Sequence, residues 1–223
     1  GNAGFSEYII ENGKIYYNED YHKTLVVKRI DDEKSEKYLT KSPDLKSFKI
    51  LNENFAKDKD TIYYKEYDIL EADINSFEIL DEDTGKDKNY IYLYGETVRY
   101  ENSGEPVDMK KVTFYENSKG KMYYFRNKNN IFVIKYSNDF PDGKGFIKLP
   151  NIDRNSFITL SEEIGKDKNG VYYFGEKIKG INPNNVRVIE EMGQDNYILQ
   201  SENNYYLTFN SNSDLYDLSL IHI

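Results

Sequence analysis

The chain has no cysteine, no tryptophan and only two histidines, and each shortage closes a class of function. Without cysteine, neither disulfides nor thiolate metal sites can contribute. A helix needs roughly 20 apolar residues to cross a bilayer, and the longest apolar runs here are only a few residues, so no transmembrane segment is expected. Lys and Arg number 30 against 39 Asp and Glu, a formal net charge of −9. Nucleic-acid affinity comes mainly from basic side chains displacing counterions. No dense Lys/Arg run offsets the acidity, so nucleic acid is not expected as a partner. His22 lies beside an expected strand and His222 lies next to the last residue, which argues against their working as a pair. No Gly-x-Ser-x-Gly or Ser-x-x-Lys context appears, so no catalytic residue, metal ligand or cofactor is nominated. The missing tryptophan also weighs against a dedicated sugar platform.

What the chain does have is aromatic residues: 22 Tyr and 12 Phe, with Phe, Tyr and Trp together making 15% of the sequence. Aromatic rings fit the half-buried face of a pleated strand. With 31% charged residues the chain is too polar for a thick core, and thin aromatic-faced sheets satisfy both facts. Tyr8 to Tyr17 holds Asn12-Gly13 between two apolar runs, a type I′ hairpin signal. Leu25 to Ile30 reads as a further strand and Asp31 to Lys37 as a charged loop or short helical turn. Gly1-Asn2-Ala3 reads as the remnant of a cleaved tag, which would place any native leader ahead of it.

From Asp44 onward three windows align without a gap, at 44–69, 73–98 and 153–178. Each opens on Asp (Asp44, Asp73, Asp153) and continues with Ser-Phe (Ser47-Phe48, Ser76-Phe77, Ser156-Phe157) and Leu (Leu51, Leu80, Leu160). A Lys-Asp-Lys turn follows, then a β-branched residue (Ile62, Ile91, Val171), Tyr (Tyr63, Tyr92, Tyr172) and a closing Ile69, Val98 or Ile178. Weaker copies fill the rest: Asp108, Val112 and Tyr115 keep the opening spacing, Asn127 to Ile134 restates the turn and strand, and Asn182-Pro183 opens another copy. Tyr136 to Leu149 is the least repeat-like part, with a loop at Pro141 to Gly145.

Each copy has a physical reading. The opening Asp accepts amide hydrogen bonds two or three residues on. Lys-Asp-Lys-Asn reverses the chain, and Ile-Tyr-Leu-Tyr alternates as a strand should. Gly95 and Gly175 permit a second tight turn. One copy is a small meander that cannot bury its apolar side alone, so neighbours must stack. The expected fold is all-β, with tandem short β-meander or hairpin repeats stacked as a curved solenoid-like or propeller-like array. Residues 1–43 form an N-terminal hairpin and strand packed on the array. Residues 44–223 form the repeat region, with copies near 44–72, 73–107, 108–152, 153–181 and 182–223.

These motifs, Asp-x-x-Ser-Phe-x-x-Leu and then Lys-Asp-Lys-Asn-x-Val-Tyr-Tyr-x-Gly-x-x-Ile, resemble the bacterial DKNYY family. Residues 86–98 and 166–178 match well and residues 57–69 moderately, and the likeness extends over roughly 44–207. Residues 57–69 depart in having Asp60 in place of Asn and no Gly before the last strand, which leaves their second turn open. The family is functionally uncharacterised. The resemblance implies a bacterial, envelope-associated (extracytoplasmic) protein and supplies no catalytic residues.

Glu162-Glu163, Glu190-Glu191 and Asp31-Asp32-Glu33 are paired carboxylates of the kind glycosidases use, but an acidic chain offers such pairs everywhere. Asp81 to Asn89 alternates oxygen ligands yet lacks the spacing and closing Glu of a calcium loop, and reads as an exposed hairpin loop. The candidate binding residues are Tyr63, Tyr92, Tyr94, Tyr172 and Phe174, with Tyr94 and Phe174 expected on the same strand face as the tyrosines two residues earlier. Two readings stand side by side: these rings form the core between copies, or they form an exposed stripe for a protein or glycan partner. The expectation for function is a non-catalytic binding or scaffold module of the envelope, acting through a tyrosine-rich surface. The competing class is a hydrolase with a carboxylate pair in a groove.

Overall fold

The computed structural model describes residues 5–32, 34, 37–115, 123–135, 145–148, 151–192, 196–208 and 215–217. His222 and most of the loop expected at Pro141 to Gly145 lie outside them. Among the described residues the protein is all-β, with antiparallel sheets and a single 3₁₀ turn at Pro183–Asn185. No helix in them is long and apolar enough to cross a membrane. The chain divides into two compact units, one of residues 1–98 with 106–110 and one of residues 99–105 with 111–223.

The first unit begins with the sheet β1 (Ser6–Glu11), β2 (Lys14–Glu19) and β3 (His22–Leu25). Its first turn is the Asn12-Gly13 reversal the sequence predicts, with φ of 50° and 74° and Glu11 paired to Lys14. The strand expected over Leu25 to Ile30 is instead split. β3 ends at Leu25, and β4 (Lys28–Asp32) pairs with β5 (Lys37–Lys41). Val26, its side chain fully buried, still donates to the Ile15 carbonyl of β2 at 2.9 Å, and the run breaks after it, where the Val27 amide turns to the Glu66 carbonyl at 3.4 Å. Of the segment expected as a charged loop or helical turn, Asp31, Asp32 and Lys37 stand in these paired strands, and residues 33, 35 and 36 lie outside the described residues.

Two four-stranded meanders follow: β6 (Lys49–Ile50), β7 (Phe55–Lys57), β8 (Ile62–Tyr64) and β9 (Tyr67–Ile69), then β10 (Glu78–Ile79), β11 (Thr84–Lys86), β12 (Ile91–Leu93) and β13 (Glu96–Thr97). The second unit holds three more. They are β14 (Thr113–Phe114), β15 (Tyr124–Arg126), β16 (Ile131–Lys135) and β17 (Gly145–Lys148), then β18 (Ile158–Thr159), β19 (Ile164–Asp167), β20 (Gly170–Tyr173) and β21 (Glu176–Lys177). The last is β22 (Val186–Met192), β23 (Asn196–Ser201), β24 (Asn204–Thr208) and β25 (Leu215–Asp217).

The windows 44–69, 73–98 and 153–178 share one strand plan and one register: Lys57 pairs with Ile62, Lys86 with Ile91 and Lys166 with Val171. Strands of two to four residues cannot shield both faces, so the core is a set of thin layers between successive sheets within each unit. In the first unit Phe55, Ile62, Tyr64, Ile69 and Tyr92 pack together, with Phe77 against them. In the second, Tyr124, Ile131, Val133, Phe157 and Tyr172 form one layer, and Ile164, Val171, Tyr173 and Tyr197 help form the next.

Candidate functional site

The polar centre of each window is the aspartate inside Lys-Asp-Lys: Asp58, Asp87 and Asp167, all buried. Its Oδ1 closes the turn, accepting in the first window from the amides of Asp60 and Thr61 at 2.9 and 2.8 Å. The other two windows repeat this with Asn89 and Tyr90, and with Asn169 and Gly170. Oδ2 reaches elsewhere. It accepts the amide of the opening aspartate fourteen residues back, at 3.0 Å for Asp44 and 2.8 Å for Asp73 and Asp153. It also accepts the tyrosine hydroxyl five residues on, from Tyr63, Tyr92 and Tyr172 at 2.8, 2.7 and 3.0 Å. The opening aspartate in turn accepts the hydroxyl of Ser47, Ser76 or Ser156 at 2.5 Å. Each serine oxygen then takes the amide of Lys59, Lys88 or Lys168. One carboxylate therefore ties together the start, the turn and the strand of its meander.

The electrostatics follow from this geometry. Hydrogen bonds from Ser47, Ser76 and Ser156 hold Asp44, Asp73 and Asp153 below the ordinary carboxylate value. Burial pushes Asp58 up, but three amides and the Tyr63 hydroxyl outweigh it, and the net shift is down. Burial first, and then the bonded carboxylate, raises Tyr63 and Tyr92 and pushes Tyr172 up to about 12. These hydroxyls stay protonated donors.

A second position links neighbouring sheets. Ten residues after the opening aspartate stand Asn54, Asp83 and Glu163. Asn54 is buried; its Oδ1 accepts the Tyr17 hydroxyl at 2.7 Å and its carbonyl that of Tyr8 at 3.0 Å. Its Nδ2 donates to Asp83 Oδ1 at 3.0 Å, and the same oxygen accepts the Tyr64 hydroxyl at 2.7 Å. In the second unit the Glu163 carbonyl accepts the Tyr124 hydroxyl at 2.7 Å, and its carboxylate accepts that of Tyr197. Sequence reasoning missed this position because its residue type changes from window to window. The constant offset was the signal available.

The residues expected to bind divide into two sets. Tyr63, Tyr92 and Tyr172 lie in the core, 0%, 0% and 4% exposed, with their hydroxyls bonded to aspartate. Burial leaves these three rings no face for a partner. Tyr94 and Phe174 are half-buried but do not continue the strand. They open the turns Tyr94-Gly95 and Phe174-Gly175 at φ of 52° and 45°, so they do not share the face of the tyrosines two residues earlier. A ring at positive φ is disfavoured, and here it gains contacts: Tyr94 meets Tyr64 at 6.4 Å, and Phe174 meets Tyr123 at 5.9 Å and Tyr173 at 4.9 Å. Gly95 is needed both for its φ of 79° and for space, since a Cβ there would come within 2.9 Å of the Tyr64 ring. The turn left open by the sequence, Lys65-Glu66, forms without glycine, and only Lys65 has positive φ. The most exposed aromatic rings among the described residues are elsewhere, at Tyr21, Tyr67 and Phe5.

The acidic groups also have assignments. Asp81 Oδ1 accepts the Asp83 amide at 2.9 Å, and the carboxylates of Asp83 and Asp87 are taken up by Asn54, Tyr64 and Tyr92. Glu162 and Glu163 are both buried, and Glu190, Glu191 and Asp31 are exposed. His22 is exposed at the start of β3.

The meander plan and its buried Asp–Tyr pair are what the recognised motif encodes. Residues 124–222 match the model of the DKNYY family. The DKNYY match covers β15 to β25 and includes the 153–178 window, whereas the windows 44–69 and 73–98 lie outside it and carry the same bonds. No curated protein and no solved structure matches the chain.

Proposed function

We propose that the protein is a non-catalytic binding or scaffold module of the bacterial cell envelope, built as a tandem array in which each meander copy is held by the next. One observation supports this reading above the rest. The polar side chains that recur at fixed offsets, Asp58/Asp87/Asp167 with Tyr63/Tyr92/Tyr172, are consumed by the fold. A repeated catalytic group would have to stay available to substrate. A repeated structural group need not, and a rigid frame displaying variable outer residues is what such a plan provides. The envelope assignment rests on the resemblance to the DKNYY family. Of the five candidate rings, Tyr94 and Phe174 are the two that are not fully buried. They are amphipathic or apolar platforms for a protein or glycan surface.

The test is a glycan array and an immobilised-protein binding screen run with the whole chain and with Tyr94→Ala and Phe174→Ala. Ligand capture that both substitutions weaken at least fivefold, with unchanged unfolding midpoints, is the expected result. Turnover of a labelled polysaccharide or peptide by the wild-type chain, abolished by Glu163→Gln in a folded variant, would instead establish a hydrolase.

A further inference from the structure

We infer an oxyanion-binding site in the second unit, formed by Arg126, Arg154 and the hydroxyl of Tyr115 and suited to a carboxylate or phosphate group. It lies apart from the turn-borne rings Tyr94 and Phe174 and does not depend on how those rings are used.

The site begins at a cation whose facing strand carries no acid, as is also so for Lys57 opposite Lys49 and Lys166 opposite Ile158. Arg126 sits at the register position held elsewhere by the first lysine of Lys-Asp-Lys. It pairs with Ile131, as Lys86 pairs with Ile91. In the β10–β13 sheet the residue facing that lysine across the strands is Glu78, and the two charges approach to 3.5 Å. In β14–β17 the facing residue is Thr113, which cannot neutralise a guanidinium. Arg126 lies over the Tyr115 ring at 5.5 Å, and among the described residues it forms no ion pair.

A second guanidinium reaches the backbone next to Arg126. Tyr124 and Arg126 point to the same face of β15, and Tyr124 packs on Phe157 at 5.2 Å. Tyr115 packs on Phe157 as well, at 5.1 Å. Arg154, three residues before Phe157, donates from Nη2 to the carbonyl of Asn127, next to Arg126, at 3.0 Å. The other windows carry apolar residues at the Arg154 position, Leu45 and Ile74. Arg154 thus reaches the residue next to Arg126, and among the described residues neither arginine forms an ion pair, in a protein whose net charge is −9.

The neighbouring donors are also unused. Arg154 Nε and the Tyr115 hydroxyl oxygen are both buried and have no hydrogen-bond partner. A buried donor without an acceptor is destabilising, and more so when charged. An incoming oxyanion would answer all of this together. Guanidinium groups bind carboxylate and phosphate in two-pronged fashion, and the phenol supplies a further O–H donor. Arg126, Arg154 and Tyr115 each keep part of their surface in solvent, so the group can enter past them.

The experiment titrates the whole chain with sodium phosphate and, separately, sodium acetate, each against sodium chloride at matched ionic strength, by calorimetry and by melting temperature. Saturable binding of one or both salts is expected, with a rise in melting temperature that chloride does not give. Phosphate alone would name a phosphate ligand and acetate alone a carboxylate. Arg154→Gln and Arg126→Gln should each weaken binding at least tenfold. Tyr115→Phe should weaken it severalfold without lowering the melting temperature of the unliganded chain, since it removes a hydroxyl that has no partner. No saturable signal with either salt, or affinity unchanged in the folded Tyr115→Phe and Arg126→Gln variants, would overturn the site.

Discussion

At the scale of single residues, the Asp–Tyr pair is the most informative contact because the chain contains its own control. In β14–β17 the equivalent positions hold Asn127 and Phe132. Asn127 Oδ1 still accepts the two turn amides, at 2.9 and 2.8 Å, and Phe132 pairs with Phe125 as Tyr92 pairs with Gly85. The charge and the hydroxyl are absent together. Asp87→Asn keeps the turn bonds but presents an NH₂ donor where the Asp73 amide and the Tyr92 hydroxyl both donate. Losing acceptors for buried donors should cost about 2–3 kcal/mol. Tyr92→Phe alone removes one bond and should cost about 1 kcal/mol. The double variant should cost less than the sum of the two, because the phenol that lost its acceptor is gone. Urea unfolding of the four proteins measures the difference, and strict additivity would contradict the pairing.

At the scale of elements, the strands are too short to stand alone and the links between sheets decide stability. Asn54 joins three sheets of the first unit through Tyr17, Tyr8 and Asp83. Asn54→Ala leaves the Tyr17 hydroxyl and part of the Asp83 carboxylate without these partners. We expect a loss of about 2–3 kcal/mol, read as a lower urea midpoint, with Asn54→Gln recovering little because its longer stem cannot fit the same buried space. A midpoint unchanged by Asn54→Ala would refute the link.

Much at this scale was legible in the sequence. The Asn12-Gly13 hairpin, the reversal at Lys-Asp-Lys and the short strand after it all follow from turn chemistry and period-two patterning. The break after Val26 was not, since a run of β-branched residues carries no sign that the next amide will turn to the Lys65-Glu66 turn. Nor was the inward direction of Tyr63, Tyr92 and Tyr172. Alternation places these rings on one face, but only tertiary contact decides whether that face is covered. Once the partner aspartate is seen, the reason is plain. A phenol near a buried carboxylate satisfies it, so a nominally polar ring belongs inside.

At the scale of the whole molecule, the hydrogen-bonded acids and the buried phenols set the pH range of stability. Asp44, Asp58, Asp73 and Asp153 sit below their ordinary value. The folded state therefore favours their charged form, and that stability is complete above about pH 4 and lost as pH falls through the lower folded values. Tyr63, Tyr64, Tyr92, Tyr124 and Tyr197 are raised, chiefly by burial. Their contribution is complete below about pH 10 and lost as pH climbs above it, because the unfolded chain ionises first. The urea midpoint plotted against pH should show a plateau with both flanks falling. A midpoint that keeps rising beyond pH 10 would contradict the burial of these hydroxyls.

The same phenols make the chain its own optical probe. With 22 tyrosines and no tryptophan, ultraviolet emission comes from phenol alone. A phenol bonded to a carboxylate gives up its excitation by passing its proton across that bond. Tyr63, Tyr92 and Tyr172 should therefore be quenched while Asp58, Asp87 and Asp167 hold them, and tyrosine emission should rise as each meander opens.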